Sequence, residues 1–332
     1  MIQFTVCPST LAEGFNTYSP HALKVLFDGI NVSPYLRMPS PSADYAEGKQ
    51  AVKNAGRISL SGVQPKFSMV IDSDHTLRYT EDKEQGTYIL KPCPIGYHLI
   101  QKSYCAANEH LTMQIATQVY KIETAANGLC YFSNDEPAYL TRRFDVSPKG
   151  KFQQEDFASL LGYTKANGGS DYKYCNGSYE ECADVINKYV KANKIDMLRF
   201  FKIILFNFIT LNDDAHLKNF SLINYGDEYR LSPAYDLINT SLHLHEPRIF
   251  ALDKGLFREG MKLGDTHAVG SSEFIEFGRR IGIPETSVKR ELKRFSQDNP
   301  KVDELIEHSF LSDELKNIYR MSMKFRQKML TF

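Results

Sequence analysis

The feature that most constrains this chain is an apolar helix-length run, Ile195 to Leu211, that ends directly on a charged octet, Asn212-Asp213-Asp214-Ala215-His216-Leu217-Lys218-Asn219. Leu198, Phe201, Leu205, Phe208 and Ile209 share one broad helical face, so the run is expected to be a core helix. Its most apolar part, Phe200 to Leu211, is interrupted by Lys202 and Asn207 and is too short to span a bilayer. Such a helix needs a large lobe around it, and 332 residues supply one without disulfides or metal. The octet then poses a problem of charge. Two carboxylates, a lysine and amides beside a buried helix need partners, unless the octet is only a solvated cap.

The rest of the chain sorts into two textures. Residues 1–55 form a poorly regular N-terminal segment with one helical patch, His21 to Phe27, and an exposed linker at 38–48. Phe67–Ile71, Thr87–Leu90 and Pro137–Phe144 have the composition of strands, with a long helix from about Ser103 to Tyr120 among them. After Gln153 the chain is expected to be mainly helical. The exception is a hairpin, Phe220–Ile223 with Tyr229–Leu231, and residues 271–330 break near Pro284 and Pro300. The organisation expected is an N-terminal segment and linker (1–55), a small strand-rich α+β lobe (56–150) and a larger helical lobe (151–332).

Composition excludes more than it proposes. Lysine plus arginine and aspartate plus glutamate each number 40, so no net charge directs the chain to nucleic acid or a membrane surface. The opening MIQFTVCPST lacks the order of a signal peptide. The six cysteines include no C-x-x-C pair, which suits reduced thiols and a cytoplasmic location. His243 and His245 form H-x-H without an evident third ligand, and a surface or strand pair is expected there.

Three further stretches give the octet a chemistry. Pro233-Ala234-Tyr235-Asp236 follows the hairpin, so Asp214, Asn219 and Asp236 offer a base, a metal-binding amide and a metal-binding carboxylate in chain order. Phosphoryl transfer needs that set, with Mg²⁺ across the phosphates. Tyr88-Ile89-Leu90-Lys91-Pro92 places a lysine at the end of an apolar strand, where it reaches phosphates and pairs with a helix glutamate; Glu109 is the candidate. Gly56 to Lys66 is a hydroxyl-rich loop before the first good strand, a weak sign of a phosphate cradle.

Together SLSGVQPK, YILKP, NEH, RRFD, QEDF, NDDAHLKN and PAYDL stand in the order of the HipA-type kinases, and the chain resembles that family over roughly residues 55–330. The resemblance implies a two-lobed protein-kinase-like fold, ATP and Mg²⁺ as cofactors, and serine/threonine kinase activity in a toxin–antitoxin system. By its motifs Asp214 is the base, Asn219 and Asp236 the Mg²⁺ ligands, and Lys91 the phosphate lysine. His216 and Lys218 lie beside the phosphates. Arg142, Arg143 and Phe144 form the adenine hinge, with Tyr235 also on the nucleotide, and Ser61, Gly62, Val63, Gln64, Pro65 and Lys66 cover the phosphates. Gln154, Glu155 and Asp156 match a motif with a structural or substrate-side role. Ser59 and Ser61 are both candidates for inhibitory autophosphorylation, as in the shorter HipT form, which the early position of this loop resembles. The substrates implied are aminoacyl-tRNA synthetases, tryptophanyl- or glutamyl-. The partners implied are an antitoxin, with a DNA-binding protein as one candidate, and a small accessory protein in place of an absent N-terminal subdomain. A lipid or small-molecule kinase and a catalytically silent scaffold are the competing readings.

Overall fold

The computed structural model describes residues 3–41, 64–95, 99–175, 177–226, 228–261 and 269–331. The first lobe is an antiparallel five-stranded sheet. Its strands are β1 (Phe67–Ile71), β2 (Leu77–Tyr79), β3 (Tyr88–Lys91), β4 (Asn127–Tyr131) and β5 (Pro137–Arg142), in the order β2-β1-β3-β5-β4. Strand β2 is three residues long and β4 carries Gly128, and neither shows the alternation that marks the other strands in the sequence.

The N-terminal segment closes one face of this sheet. Helix α1 (Pro20–Phe27) is started by the Ser19 hydroxyl, which accepts from Ala22 N–H, and by Pro20 at its first position. Leu26, Phe27, Val32 and Leu36 pack with Leu90, Cys130 and Leu140 of the sheet in one apolar cluster. Residues up to Met38 are therefore part of the lobe's core.

Helix α2 (Cys105–Gln118) lies on the opposite face, between the sheet and the helical lobe. It is buried from Cys105 to Ala116 on all sides, polar residues included. Each of those finds a partner. Asn108 Nδ2 donates to Asn239 O (2.8 Å), His110 Nε2 contacts Ser9 O (2.8 Å), and Thr112 Oγ1 pairs with Tyr319 OH (2.9 Å). Gln114 Nε2 donates to Asn127 Oδ1 (3.0 Å).

The second lobe is not wholly helical. Beyond the two-residue ribbon β6 (Val146–Ser147) and β7 (Gly150–Lys151), β8 (Gln153–Asp156) pairs with β9 (Ser221–Asn224), which pairs with β10 (Tyr229–Leu231). Single helical turns α3 (Phe157–Leu160), α4 (Lys165–Gly168) and α5 (Tyr172–Cys175) lead to α6 (Tyr179–Tyr189) and α7 (Asn193–Ile209). Helix α7 is the centre of this lobe: Phe200, Phe201, Leu205, Phe206 and Ile209 are fully buried, while Leu198, expected in the core face, is only partly buried. Around it lie α8 (Ser271–Arg280), α9 (Glu285–Ser296), α10 (Pro300–Glu307) and α11 (Asp313–Met329), with Asn299 and Ser312 capping the last two. Among the described residues no helix is long and apolar enough to cross a membrane.

Candidate active site

The site begins where α7 stops. Asn212 N–H returns to Asn207 O (2.9 Å) and Leu211 N–H to Phe208 O (3.3 Å), a Schellman closure with Leu211 in the left-handed region at φ 52°. Glycine is usual at that position, and a leucine there costs roughly 1–2 kcal/mol. The turn swings the chain sharply, and Asn212 Nδ2 locks it by donating to Asn207 Oδ1 (3.1 Å). The single amide within the apolar run is thus the anchor of the charged loop.

The loop is tied at each carboxylate. Asp213 Oδ2 accepts from Arg248 N–H (2.8 Å). Asp214 N–H donates to Asn212 Oδ1 (3.2 Å), and Asp214 O accepts from His216 N–H (2.8 Å) and Asn219 Nδ2 (3.1 Å). The Asp214 carboxylate accepts from the Tyr174 hydroxyl at 2.5 Å. With Asn219 Nδ2 spent on Asp214 O, its Oδ1 is the end left to act as a ligand.

Strand β3 supplies the cation. Period two sends Tyr88 and Leu90 into the N-terminal cluster and Ile89 and Lys91 to the opposite face. There Lys91 Nζ, 3% exposed, donates to Glu109 Oε1 at 2.5 Å and also to Asp236 Oδ1. Asp236, itself left-handed at φ 55°, accepts a second ammonium from Lys66 at 3.3 Å. Burial would push the Lys91 ammonium down, but Asp236 and Glu109 outweigh it and hold it up. Burial would raise Asp236, yet Lys66 and Lys91 hold it well below the usual carboxylate range. Burial keeps Glu109 above its ordinary value, with Lys91 opposing.

A cavity of about 170 Å³ opens beside this array. Ile89, Ala125, Phe144 and Tyr235 give it apolar walls, and Lys66, Lys91 and Asp236 line its polar end. The Phe144 and Tyr235 rings lie 5.7 Å apart and tilted by 34°. The two rings are in contact and form one wall, and a cavity of this lining suits a flat aromatic group with an anionic tail toward the lysines. The lobes are joined here: Ala125 N–H donates to Ala234 O and Ala234 N–H to Glu123 O.

The residues singled out in the sequence divide three ways. Lys66, Lys91, Arg142, Arg143, Phe144, Tyr235 and Asp236 line this cavity; Asn219 shares a smaller one with Asp236 and Asn212. Gln64 is held by a bond to Pro92 O (3.2 Å), next to Pro65. The Arg142 and Arg143 guanidinia pair with Asp28 and Asp145, and Asp145 lines the same cavity. His216 and Lys218 do not line the cavity. His216 is 3% exposed against the edge of Tyr174, and burial lowers it to about 4. Lys218 Nζ is bound to Asp156 Oδ2 at 2.9 Å, which gives the Gln154–Asp156 motif a contact with the loop. Ser59, Ser61, Gly62 and Val63 lie outside the described residues. His243 corrects an expectation: it is fully buried, bonded to Asn108 Nδ2 (2.9 Å) and Ile100 O (3.1 Å), while His245 is exposed.

Two residues near Asp214 were missed, Lys173 and Tyr174. Burial pulls the Lys173 ammonium down, with Asp214 opposing. The only signal in sequence was a lysine–tyrosine pair in a polar stretch, which carries no pattern of its own.

The offered donor set suits a hard cation, since an amide oxygen and an ionised carboxylate are the ligands Mg²⁺ takes, and Asp236 already collects cationic partners. The HipA-like C-terminal domain matches residues 58–302. A Haemophilus influenzae protein provisionally named a kinase is 28% identical over 320 residues, covering 90% of this chain and 88% of its own length. The serine/threonine-protein kinase toxin HipA of Shewanella oneidensis is 24% identical over 264 residues, 74% of this chain but 56% of that protein. In a solved complex of S. oneidensis HipA, HipB and operator DNA, one chain superposes with a TM-score of 0.67 at 20% identity, covering 90% of this chain and 73% of that one. The Helicobacter pylori proinflammatory kinase CtkA gives 0.52 at 13% identity, covering 79% and 93%. At these identities the superpositions show the fold, a two-lobed kinase-like α+β architecture.

Proposed function

The chain belongs to the HipA-like C-terminal domain family, and from that premise we propose that it is an ATP-dependent serine/threonine protein kinase. The observation that carries this is the Lys91 ammonium held between Glu109 and Asp236 at the polar end of a slot that fits a flat base. In this reading Lys91 and Lys66 bind phosphate oxygens, and the main chain at 142–144 with Phe144 and Tyr235 holds the base. Asp214 takes the proton of the acceptor serine as its oxygen bonds to the terminal phosphorus and the bond to ADP breaks. Bound Mg²⁺ would neutralise phosphate charge, with Asn219 Oδ1 and Asp236 as the ligands this chain offers.

Likeness to the HipA toxin supports the finer reading. The substrate is then an aminoacyl-tRNA synthetase, tryptophanyl- or glutamyl-, growth arrest follows, and an antitoxin is the partner, as HipB is found with HipA in the S. oneidensis complex. Phosphate on Ser59 or Ser61, a few residues before Lys66 in the sequence, would add about −1.5 to −2 charges, and in this reading that charge opposes nucleotide.

The test is labelled ATP with purified protein and cell lysate. Label should enter protein serine, and Asp214→Asn should lower the rate by about 10²–10³ with an unchanged circular dichroism melt. Label in a small-molecule pool would make this a small-molecule kinase. ATP binding without any transfer would make it a scaffold.

A further inference from the structure

Tyr174 belongs to none of the stretches that flagged the site, yet it is the residue that grips the carboxylate of Asp214. Asp214 sits on a loop, and the bonds at its backbone N–H and C=O fix its Cα without fixing its side chain. The Tyr174 hydroxyl acts on the side chain itself, at 2.5 Å from Oδ1. The phenol is in turn enclosed. It is 2% exposed, its turn is closed by Tyr174 N–H to Asp171 O (2.8 Å), and Asp253 N–H donates to Tyr174 O (3.1 Å). Its ring meets the His216 ring in a T-shaped contact with centroids 5.0 Å apart.

We propose that Tyr174 is the positioning residue for the catalytic base. It occupies Oδ1 and so fixes the carboxylate plane. This rests on Asp214 being the base, as above. Tyr174 therefore sets where the base points.

Tyr174→Phe removes the hydroxyl and keeps the ring against His216. The expected result is a fall in kcat of about 10- to 100-fold, with KM for ATP within about twofold of the parent. A residue that merely supports the fold would lower the melting temperature and leave kcat per folded molecule at the parental value. In an Asp214→Asn background the Tyr174→Phe change should cost nothing further, since the two act as a unit. Should the phenylalanine variant fail to fold, 4-aminophenylalanine at position 174 keeps the ring with a weaker donor and should lower kcat by about 3- to 10-fold with KM for ATP within about twofold of the parent. A parental kcat in either protein overturns the proposal while Asp214→Asn still lowers the rate. If Asp214→Asn retains the rate, the base assignment fails instead.

Discussion

Replacing Lys91 with methionine tests whether one ammonium is what makes two buried carboxylates compatible. Lys91 and Glu109 are each 3% exposed, so neither is screened by water. Removing the ammonium leaves Asp236 its contact with Lys66, and Glu109 only the more distant pull of Lys66. Glu109 then either stays charged, at the roughly 3–5 kcal/mol cost of a broken buried pair, or takes up a proton. From an unfolded-chain value near 4.3, protonation at pH 7 costs about 3.7 kcal/mol. The loss of stability at pH 7 is therefore capped at about 3.7 kcal/mol. Its pH dependence is the signature. The folded variant binds a proton at Glu109 that the unfolded chain does not, so stability rises as pH falls, by about 1.4 kcal/mol per unit. Urea melts of parent and variant should show the penalty shrinking by about 2 kcal/mol between pH 7 and 5.5. Adding Glu109→Gln should restore most of the stability at pH 7. A penalty equal at both pH values, or a double variant less stable than the single one, would refute this account.

Other expectations follow from groups around the same site. Burial lowers His110, His216 and His243 to about 4, with Ser9 opposing at His110, Asp214 at His216 and Ile100 at His243. Below about 6.5 the unfolded chain binds protons the folded one refuses, so stability should fall toward pH 4 by up to about 4 kcal/mol per unit for three histidines. Denaturant titrations across pH 4–7 with a slope under one proton would sink that. Arg142→Ala should change KM for ATP less than about fivefold, because its guanidinium serves a partly exposed pair with Asp28 worth about 0–1 kcal/mol. A tenfold rise would place the guanidinium on the nucleotide. Amides of 105–118 should exchange with solvent only through global unfolding, and early exchange there in native conditions would contradict the burial of that helix.

How much was legible depended on whether a residue's neighbours in sequence are its neighbours in space. The helix at 193–209 and the hairpin after it announce themselves by periodicity, within about two residues, as does the helical C-terminal stretch with its breaks near Pro284 and Pro300, whereas the further break between Glu307 and Asp313 was not expected. The order Lys91, Asp214, Asn219, Asp236 was readable because each sits in a distinctive local string. Strands 77–79 and 127–131 were not, since three residues carry no alternation and Gly128 interrupts the other. The burial of His243 depends on Asn108, 135 residues away, and the grip of Tyr174 on Asp214 spans 40. Leu211 was hidden for the opposite reason: a leucine where glycine is usual makes a helix end look like more helix.

The polar residues of α2 explain why this site is assembled as one piece. In a helix buried on all sides, apolar residues would be the cheap choice, and Asn108, Glu109, His110, Thr112 and Gln114 each had to be matched by a partner. Those partners come from different places: Asn239 three residues past Asp236, Lys91 on β3, Ser9 in the N-terminal segment, Tyr319 on the last helix and Asn127 on β4. Moving α2 outward to separate Lys91 from Glu109 would strand all five groups at once. Each buried group left unmatched costs about 1–3 kcal/mol, so even the low end sums to about 5 kcal/mol, comparable to the whole stability of many domains. A switch that works by swinging this helix is therefore closed to the fold. Control has to act on what can change without disturbing α2, namely which cation Asp236 receives. Lys66, at 42% side-chain exposure against 4% for Lys91, is the more accessible of those two partners.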